Sequence, residues 1–176
     1  MPQRMVMEIK MGNRPIIFLD VDGVLIRFIP FAKWEWFPES ENQFFERFQD
    51  LVEKTNARII LSSSWRLHPT SYKLIEEKLA TYNLQIDGKT ENHTKILGTN
   101  RHRELGYDIG DEDIRTHEIL AWLENNVPII TQWIAIDDME LRLSTKNFVR
   151  THPKKGFTEN IYNECLEKLS GSGSDE

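Results

Sequence analysis

The chain has a single cysteine, Cys165, so no disulfide can form within it. That usage fits a reducing compartment. No apolar run approaches the roughly 18 residues that a membrane span needs. Residues 1–12 lack the apolar core of a signal peptide. Positive charge is also in short supply: 28 acidic residues face 22 Lys and Arg, giving a net charge of −6. Attraction to nucleic acid by bulk charge is thereby excluded, and a nucleic-acid substrate would need a local basic patch. There is no internal repeat and no sustained heptad pattern, so the expectation is a monomer. What remains is 176 residues, 39% hydrophobic, enough for one domain with a core of its own. The expected location is the cytoplasm, although signal-independent secretion would leave no mark in such a sequence.

Residues 1–13 read as a flexible lead, 14–170 as the folded domain and 171–176, a Gly/Ser run with two acids, as a flexible tail. Within the domain, strand and helix signals alternate. Ile16 to Leu19 is a short apolar run that ends in Asp20 and a glycine turn, as a buried strand does. Ser40-Glu41-Asn42-Gln43 has the spacing of a capping box, and Phe44, Phe45, Phe48, Leu51 and Val52 follow at helical intervals. Ala57 to Leu61 is a second strand, running into Ser62-Ser63-Ser64. A helix is predicted over Thr70 to Tyr82 and a short strand over Leu84 to Ile86. Residues 87–112 form a long polar stretch, which in a compact domain is usually functional. Asp111-Glu112-Asp113 opens a third helix, with Ile119, Leu120, Trp122 and Leu123 predicted to face inward. Trp133 to Ile136 is a buried strand ending in Asp137-Asp138. Phe148-Val149 suggests a last strand, and Thr158 caps a final helix with Ile161, Cys165, Leu166 and Leu169 inward. This alternation predicts an α/β fold around a mainly parallel sheet.

Ligands of such sheets bind beyond the carboxyl ends of the strands. Three predicted strands end there in Asp20, in the Ser62–Ser64 cluster and in Asp137-Asp138. Asp20 and Asp22 lie two apart on a glycine turn and repel each other unless a divalent cation sits between them. One carboxylate can attack phosphorus, while the other protonates the leaving oxygen and then activates water. The bland alternative is an Asp-rich junction between strand and turn. Serine hydroxyls and nearby backbone N–H groups can hold phosphate oxygens. Trp65 is expected in the core, while Arg66 either reaches a phosphate or lies exposed. Arg115, in the first turn of its predicted helix, opposes the helix dipole. It either pairs with Asp111, Glu112 or Asp113, or balances the acids of the site and grips phosphate. Trp34, Trp36 and Phe37 are expected to pack into the core rather than to form a flap. Lys89, Lys95, Arg101, His102 and Arg103 form a basic stretch able to contact phosphates, or simply a solvated loop. His93 and His102 have no cysteine beside them, so zinc is not expected.

Phe18-Leu19-Asp20-Val21-Asp22-Gly23-Val24-Leu25 resembles the first motif of the haloacid dehalogenase (HAD) superfamily of phosphohydrolases. Leu61-Ser62-Ser63-Ser64 resembles its second motif, Arg115 its third and Ile136-Asp137-Asp138 its fourth. The finer pattern is similar to the HAD domains of Swiss army knife RNA repair proteins. It runs from Ser62-Ser63-Ser64-Trp65-Arg66 through Arg115 to Leu123, then Ile136-Asp137-Asp138 and Gly156-Phe157-Thr158.

This resemblance implies a Rossmann-like three-layer sandwich with a five-stranded sheet in the order 3-2-1-4-5 and no large cap. It implies Mg2+ held by Asp20, the backbone carbonyl of Asp22, and Asp138, with Asp137 behind them. Asp20 would be the nucleophile, Asp22 the general acid and base, and Arg115 the group that steadies the phosphoaspartate, with Lys154 and Lys155 as rivals. Ser62 or Ser63, with Gly23, would bind the substrate phosphate. The resulting expectation is an Mg2+-dependent phosphomonoester hydrolase acting on an accessible phosphate of a macromolecule, a polynucleotide 3′ end first. The alternatives are a phosphoprotein phosphatase, a phosphatase of a small phosphoester, and a non-catalytic or receiver-like phospho-accepting module.

Overall fold

The computed structural model describes residues 14–94, 110–127 and 131–171. Five strands form one sheet: β1 (Ile16–Leu19), β2 (Arg58–Leu61), β3 (Ile86–Lys89), β4 (Trp133–Asp137) and β5 (Phe148–Arg150). Every neighbouring pair is parallel, and the order is β3-β2-β1-β4-β5. Among the described residues, four helices connect and cover them: α1 (Asn42–Thr55), α2 (Pro69–Ala80), α3 (Asp111–Asn126) and α4 (Glu159–Leu169). The result is the α/β fold around a parallel sheet that the alternation predicted and the Rossmann-like sandwich that the resemblance implied, with no large cap among the described residues.

Why β1 lacks alternation is visible in its packing. Ile17 and Leu19 point into the larger core, shared with Phe44, Phe45 and Phe48 of α1, Ile75 and Leu79 of α2, and Cys165 and Leu169 of α4. Ile16 and Phe18 point the other way, to Ile60, Ile119 of α3 and Ala135. A central strand covered on both faces must be apolar at every position. Thr158 caps α4 as predicted, its hydroxyl accepting from the Ile161 amide at 3.4 Å.

Several local expectations are corrected. The capping box at Ser40 does not form: a 3-10 turn over Glu39–Glu41 leads into α1. There the Ser40 hydroxyl donates to Glu41, whose buried carboxylate takes Arg27 at 2.7 Å. Strand β3 begins at Ile86 and runs to Lys89, not from Leu84 to Ile86. It is an edge strand, so Asp87 and Gly88 are tolerated, and Asp87 accepts from the Ile59 amide. Leu120 is exposed rather than inward. Trp34 and Trp36 are exposed as well, while Phe37 packs on the core as expected.

The chain order produces a switch point. After β1 it moves outward through β2 and β3, then returns to lay β4 on the other side of β1. At such a switch point a sheet of this kind leaves a crevice for a ligand, here beyond the carboxyl ends of β1 and β4.

Candidate active site

Register decides what lines the crevice. Leu19 stands beside Leu61 on one side and Ile136 on the other. The next residues are therefore Asp20, Ser62 and Asp137, tied by Ser62 N–H to Leu19 O and Asp20 N–H to Ile136 O, both at 3.1 Å. The row continues to Thr90 after β3 and Thr151 after β5, through amides that donate to Leu61 O and Asp137 O. All five strands thus end in a buried polar residue: Thr90, Ser62, Asp20, Asp137 and Thr151. Burying such a row across one sheet edge is costly unless its groups find hydrogen-bond partners or opposite charge.

The acids meet here. Asp20, Asp137 and Asp138 each offer a carboxylate oxygen, all within 4.8 Å of one another. Burial pushes the Asp20 carboxyl well above its ordinary value, with the charge of Asp137 adding to the effect and Arg115 opposing it. Burial likewise raises Asp137, against the pull of Arg115. Arg115 reaches over from α3, its Nη1 2.9 Å from Asp137 Oδ2 and 3.5 Å from Asp20 Oδ1. One guanidinium leaves a cluster of three carboxylates under-neutralised. The donor set is all oxygen, which suits a hard divalent cation such as Mg2+, so the residues fit the metal that the resemblance implied.

Gly23 is needed where it stands. Its φ is +80°, and an added Cβ would sit 2.6 Å from Asp138 Cγ. The glycine lets the two acidic loops close on each other. Its N–H donates to Ile26 O at 2.7 Å, so its own amide is engaged within the loop. Its carbonyl accepts from Thr151 Oγ1 at 2.7 Å.

Asp22 has a different environment. Its carboxylate is half-buried and accepts from Trp65 Nε1 at 3.0 Å. Burial raises its carboxyl above the ordinary value, with the Trp65 N–H and Arg115 partly offsetting the rise. A carboxyl held there but kept off the metal cluster is suited to proton transfer.

The serines separate in role. Ser63 Oγ accepts from the Trp65 amide at 3.2 Å and caps a 3-10 turn over Ser64–Leu67. Ser62 stands directly beside Asp20 in the row. Trp65 is in the core, as expected. Arg66 is neither exposed nor free for phosphate. It is buried, and donates to the carbonyls of Ser62, Ser63 and Thr90 and to Glu118. Lys154 and Lys155 are exposed on the turn after β5, so Arg115 is the basic group that meets the acids. Lys89 is exposed and lies over the Tyr72 ring. Lys95, Arg101, His102 and Arg103 lie outside the described residues.

The model of the HAD domain in Swiss Army Knife RNA repair proteins matches residues 16–161. The chain belongs to this family. Family membership makes it a phosphatase of the HAD superfamily. No curated protein and no solved structure matches the chain. In this HAD domain the four motifs that the sequence suggested converge on one crevice. Three contacts were not legible beforehand: the Trp65 bond to Asp22, the buried Arg66 clamp, and Thr151 on Gly23. Only Thr151 left a signal, as a polar residue two positions past the predicted strand Phe148-Val149. Among the described residues, no helix is long and apolar enough to cross a membrane.

Proposed function

We propose that this HAD domain is a phosphomonoester hydrolase that requires Mg2+ and forms an aspartyl-phosphate on Asp20. The supporting observation is the buried acid cluster with Arg115 at the switch point of the sheet. Asp20, Asp138 and the backbone of Asp22 would hold the cation, with Asp137 fixing Arg115 behind them. The cation, when bound, neutralises the carboxylates and the phosphate oxygens. Asp20 Oδ attacks phosphorus as the bond to the ester oxygen breaks, and Asp22 gives its proton to that oxygen. Asp22, now ionised, takes a proton from water, which attacks the phosphorus of the aspartyl-phosphate and frees Asp20 and inorganic phosphate. Arg115 steadies the charge on the transferring group. Ser62, beside Asp20, is the better placed hydroxyl for a phosphate oxygen, with Ser63 and Gly23 shaping the loops around it.

The substrate we infer is the 3′-phosphate of a polynucleotide. The family's tie to RNA repair supports this, as does the lack of a large cap over the site among the described residues. The test is phosphate release, with Mg2+ or with EDTA, from a 3′-phosphorylated oligonucleotide, its 5′ counterpart, phosphotyrosine and phosphoserine peptides, and p-nitrophenyl phosphate. Release from the 3′ end, abolished by EDTA, is expected. A peptide turned over faster than every oligonucleotide would overturn the substrate assignment.

Trp65→Phe keeps the ring and removes the N–H that holds Asp22. General acid catalysis contributes about 10²- to 10⁴-fold where the leaving group needs a proton. We expect kcat on an alkyl phosphate to fall about tenfold or more, with KM little changed. The p-nitrophenolate group leaves without protonation, so p-nitrophenyl phosphate should lose less. Equal losses on both would show that the N–H does not serve proton transfer.

The raised carboxyls also predict how metal affects stability. An unfolded aspartate has an ordinary value of 3.8, and in the fold Asp20, Asp22 and Asp137 hold their protons more tightly. The stability they contribute is full below 3.8 and is lost as pH rises through the raised folded values. Mg2+ should reverse that loss at neutral pH, where it does not compete with protons. A hundredfold excess over Kd adds about 2.7 kcal/mol, or roughly 5 to 10 °C in Tm. The Mg2+-induced rise in Tm should be larger at pH 7.5 than at pH 5, and a rise independent of pH would contradict the assignment.

A further inference from the structure

Among the described residues, five large apolar side chains are exposed, and four of them, Phe28, Trp34, Trp36 and Leu67, flank the catalytic crevice in sequence. Phe28, Trp34 and Trp36 lie on the segment leaving the Asp20–Asp22 loop, and Leu67 ends the 3-10 turn that follows the serines. The two tryptophans are the unusual members, because indole is the largest apolar group a chain can leave in water. Trp34 is 74% exposed and Trp36 46%.

These indoles are also connected to the site. Trp34 meets Trp36 with ring centroids 5.1 Å apart and planes at 67°. Trp36 meets Trp65 at 5.7 Å and 73°. Trp65 in turn donates to the Asp22 carboxylate. Edge-to-face contact holds each ring in place without covering both of its faces. The row therefore ends on the group that, in the reading above, protonates the ester oxygen. Whatever leaves with that oxygen must lie on the Asp22 side of the phosphorus, and the tryptophans belong to that side.

We propose that Trp34 and Trp36 form a stacking platform for the unpaired terminal bases of a single-stranded polynucleotide whose end phosphate lies at Asp20. This rests on the phosphatase reading and specifies its substrate. Every base has a π face, so such a platform binds strands with little regard to sequence. Basic side chains lie on the neighbouring segments despite the net negative charge. Lys33 is exposed next to Trp34. Phe28 N–H donates to Pro153 O at 2.8 Å, which ties the aromatic segment to the turn carrying the exposed Lys154 and Lys155. A peptide phosphate would use the same acids but has no run of flat rings to lay along the indoles.

Two measurements test this. The first compares a 3′-phosphorylated oligonucleotide with one whose last two residues are abasic, on the wild type and on Trp34→Ala/Trp36→Ala. Alanine replacement of a stacking aromatic weakens binding about five- to hundredfold per base. The wild type should therefore show a KM lower by that order for the base-bearing substrate, and the variant should lose the preference. The second is binding of the unphosphorylated oligonucleotide, read by quenching of tryptophan fluorescence, which needs no turnover. Saturable quenching that the double variant loses supports the platform even if the phosphatase reading fails. Equal KM for both oligonucleotides with no quenching overturns the platform while leaving the phosphatase reading intact. A phosphotyrosine peptide whose KM alone depends on Trp34 and Trp36 overturns it as well, in favour of a phosphoprotein.

Discussion

Asp20→Asn should abolish phosphate release while leaving the protein folded. The amide keeps the shape of the carboxyl but cannot form an acyl phosphate. Loss of a nucleophile from a working constellation costs at least on the order of a thousandfold in kcat. The fold should not suffer, because Asp20 is one of three crowded acids and its charge is opposed by burial and by Asp137. Removing one negative charge relieves that repulsion, so Tm without metal should hold or rise. The Mg2+-induced rise in Tm should shrink, since an oxygen donor with full charge is gone. During wild-type turnover, hydroxylamine should capture the acyl phosphate as a hydroxamate on the peptide carrying Asp20. Asp20→Asn protein that keeps its activity would require direct attack by water and would end the aspartyl-phosphate reading.

Much of the site was legible because its residues sit where strands stop. Asp20, Ser62 and Asp137 each follow an apolar run, and a parallel sheet in register must place such residues side by side. The sheet order followed from the resemblance and the alternation of elements from the periodicity. Two kinds of feature stayed hidden. Strand β3 carries Asp87 and Gly88 on an edge, where the hydrophobic signal is weakest. The partners of Trp65 and Arg66 depend on distances between segments far apart in the chain. A tryptophan and an arginine after three serines read as one core residue and one residue that either reaches a phosphate or lies exposed, yet both are buried and both hydrogen-bond the site.

Trp34 and Trp36 fail for the opposite reason. Hydrophobicity predicts burial, but burial needs a facing surface, and this segment runs over the rim of the crevice instead of across the sheet. Phe37, a single position further on, reaches Phe45 and Trp65 and is covered. The boundary between core and rim falls between Trp36 and Phe37, which no periodicity could locate. An aromatic residue left exposed beside a catalytic loop is informative for that reason.

Arg66 carries the second large prediction. Its side chain and that of Glu118 are 4% and 5% exposed, with Nη2 2.6 Å from Oε2. Burial lowers the guanidinium from its ordinary value, and Glu118 supplies the compensating charge. Its remaining N–H groups hold Ser62 O, Ser63 O and Thr90 O at 2.9 to 3.0 Å, so the loops after β2 and β3 hang from one side chain. Glu118 also accepts from the His93 amide, and lies three residues after Arg115 on the same face of α3. One ion pair thus fixes the serine loop relative to the helix that delivers Arg115. Arg66→Met strands a buried carboxylate and the carbonyls of Ser62 and Thr90, while Ser63 O keeps the residue's own backbone amide. Breaking a buried pair costs about 3 to 5 kcal/mol, which in a domain of this size lowers Tm by roughly 6 to 20 °C. Arg66→Lys should recover part of the loss, since an ammonium can meet Glu118 but cannot fork to the carbonyls of two loops. Arg66→Met/Glu118→Leu should be more stable than the sum of its single variants, because no charge is left stranded. It should still have low kcat, because the serine loop has lost its clamp. A double variant whose destabilisation equals that sum would show that the two charges do not act as a pair.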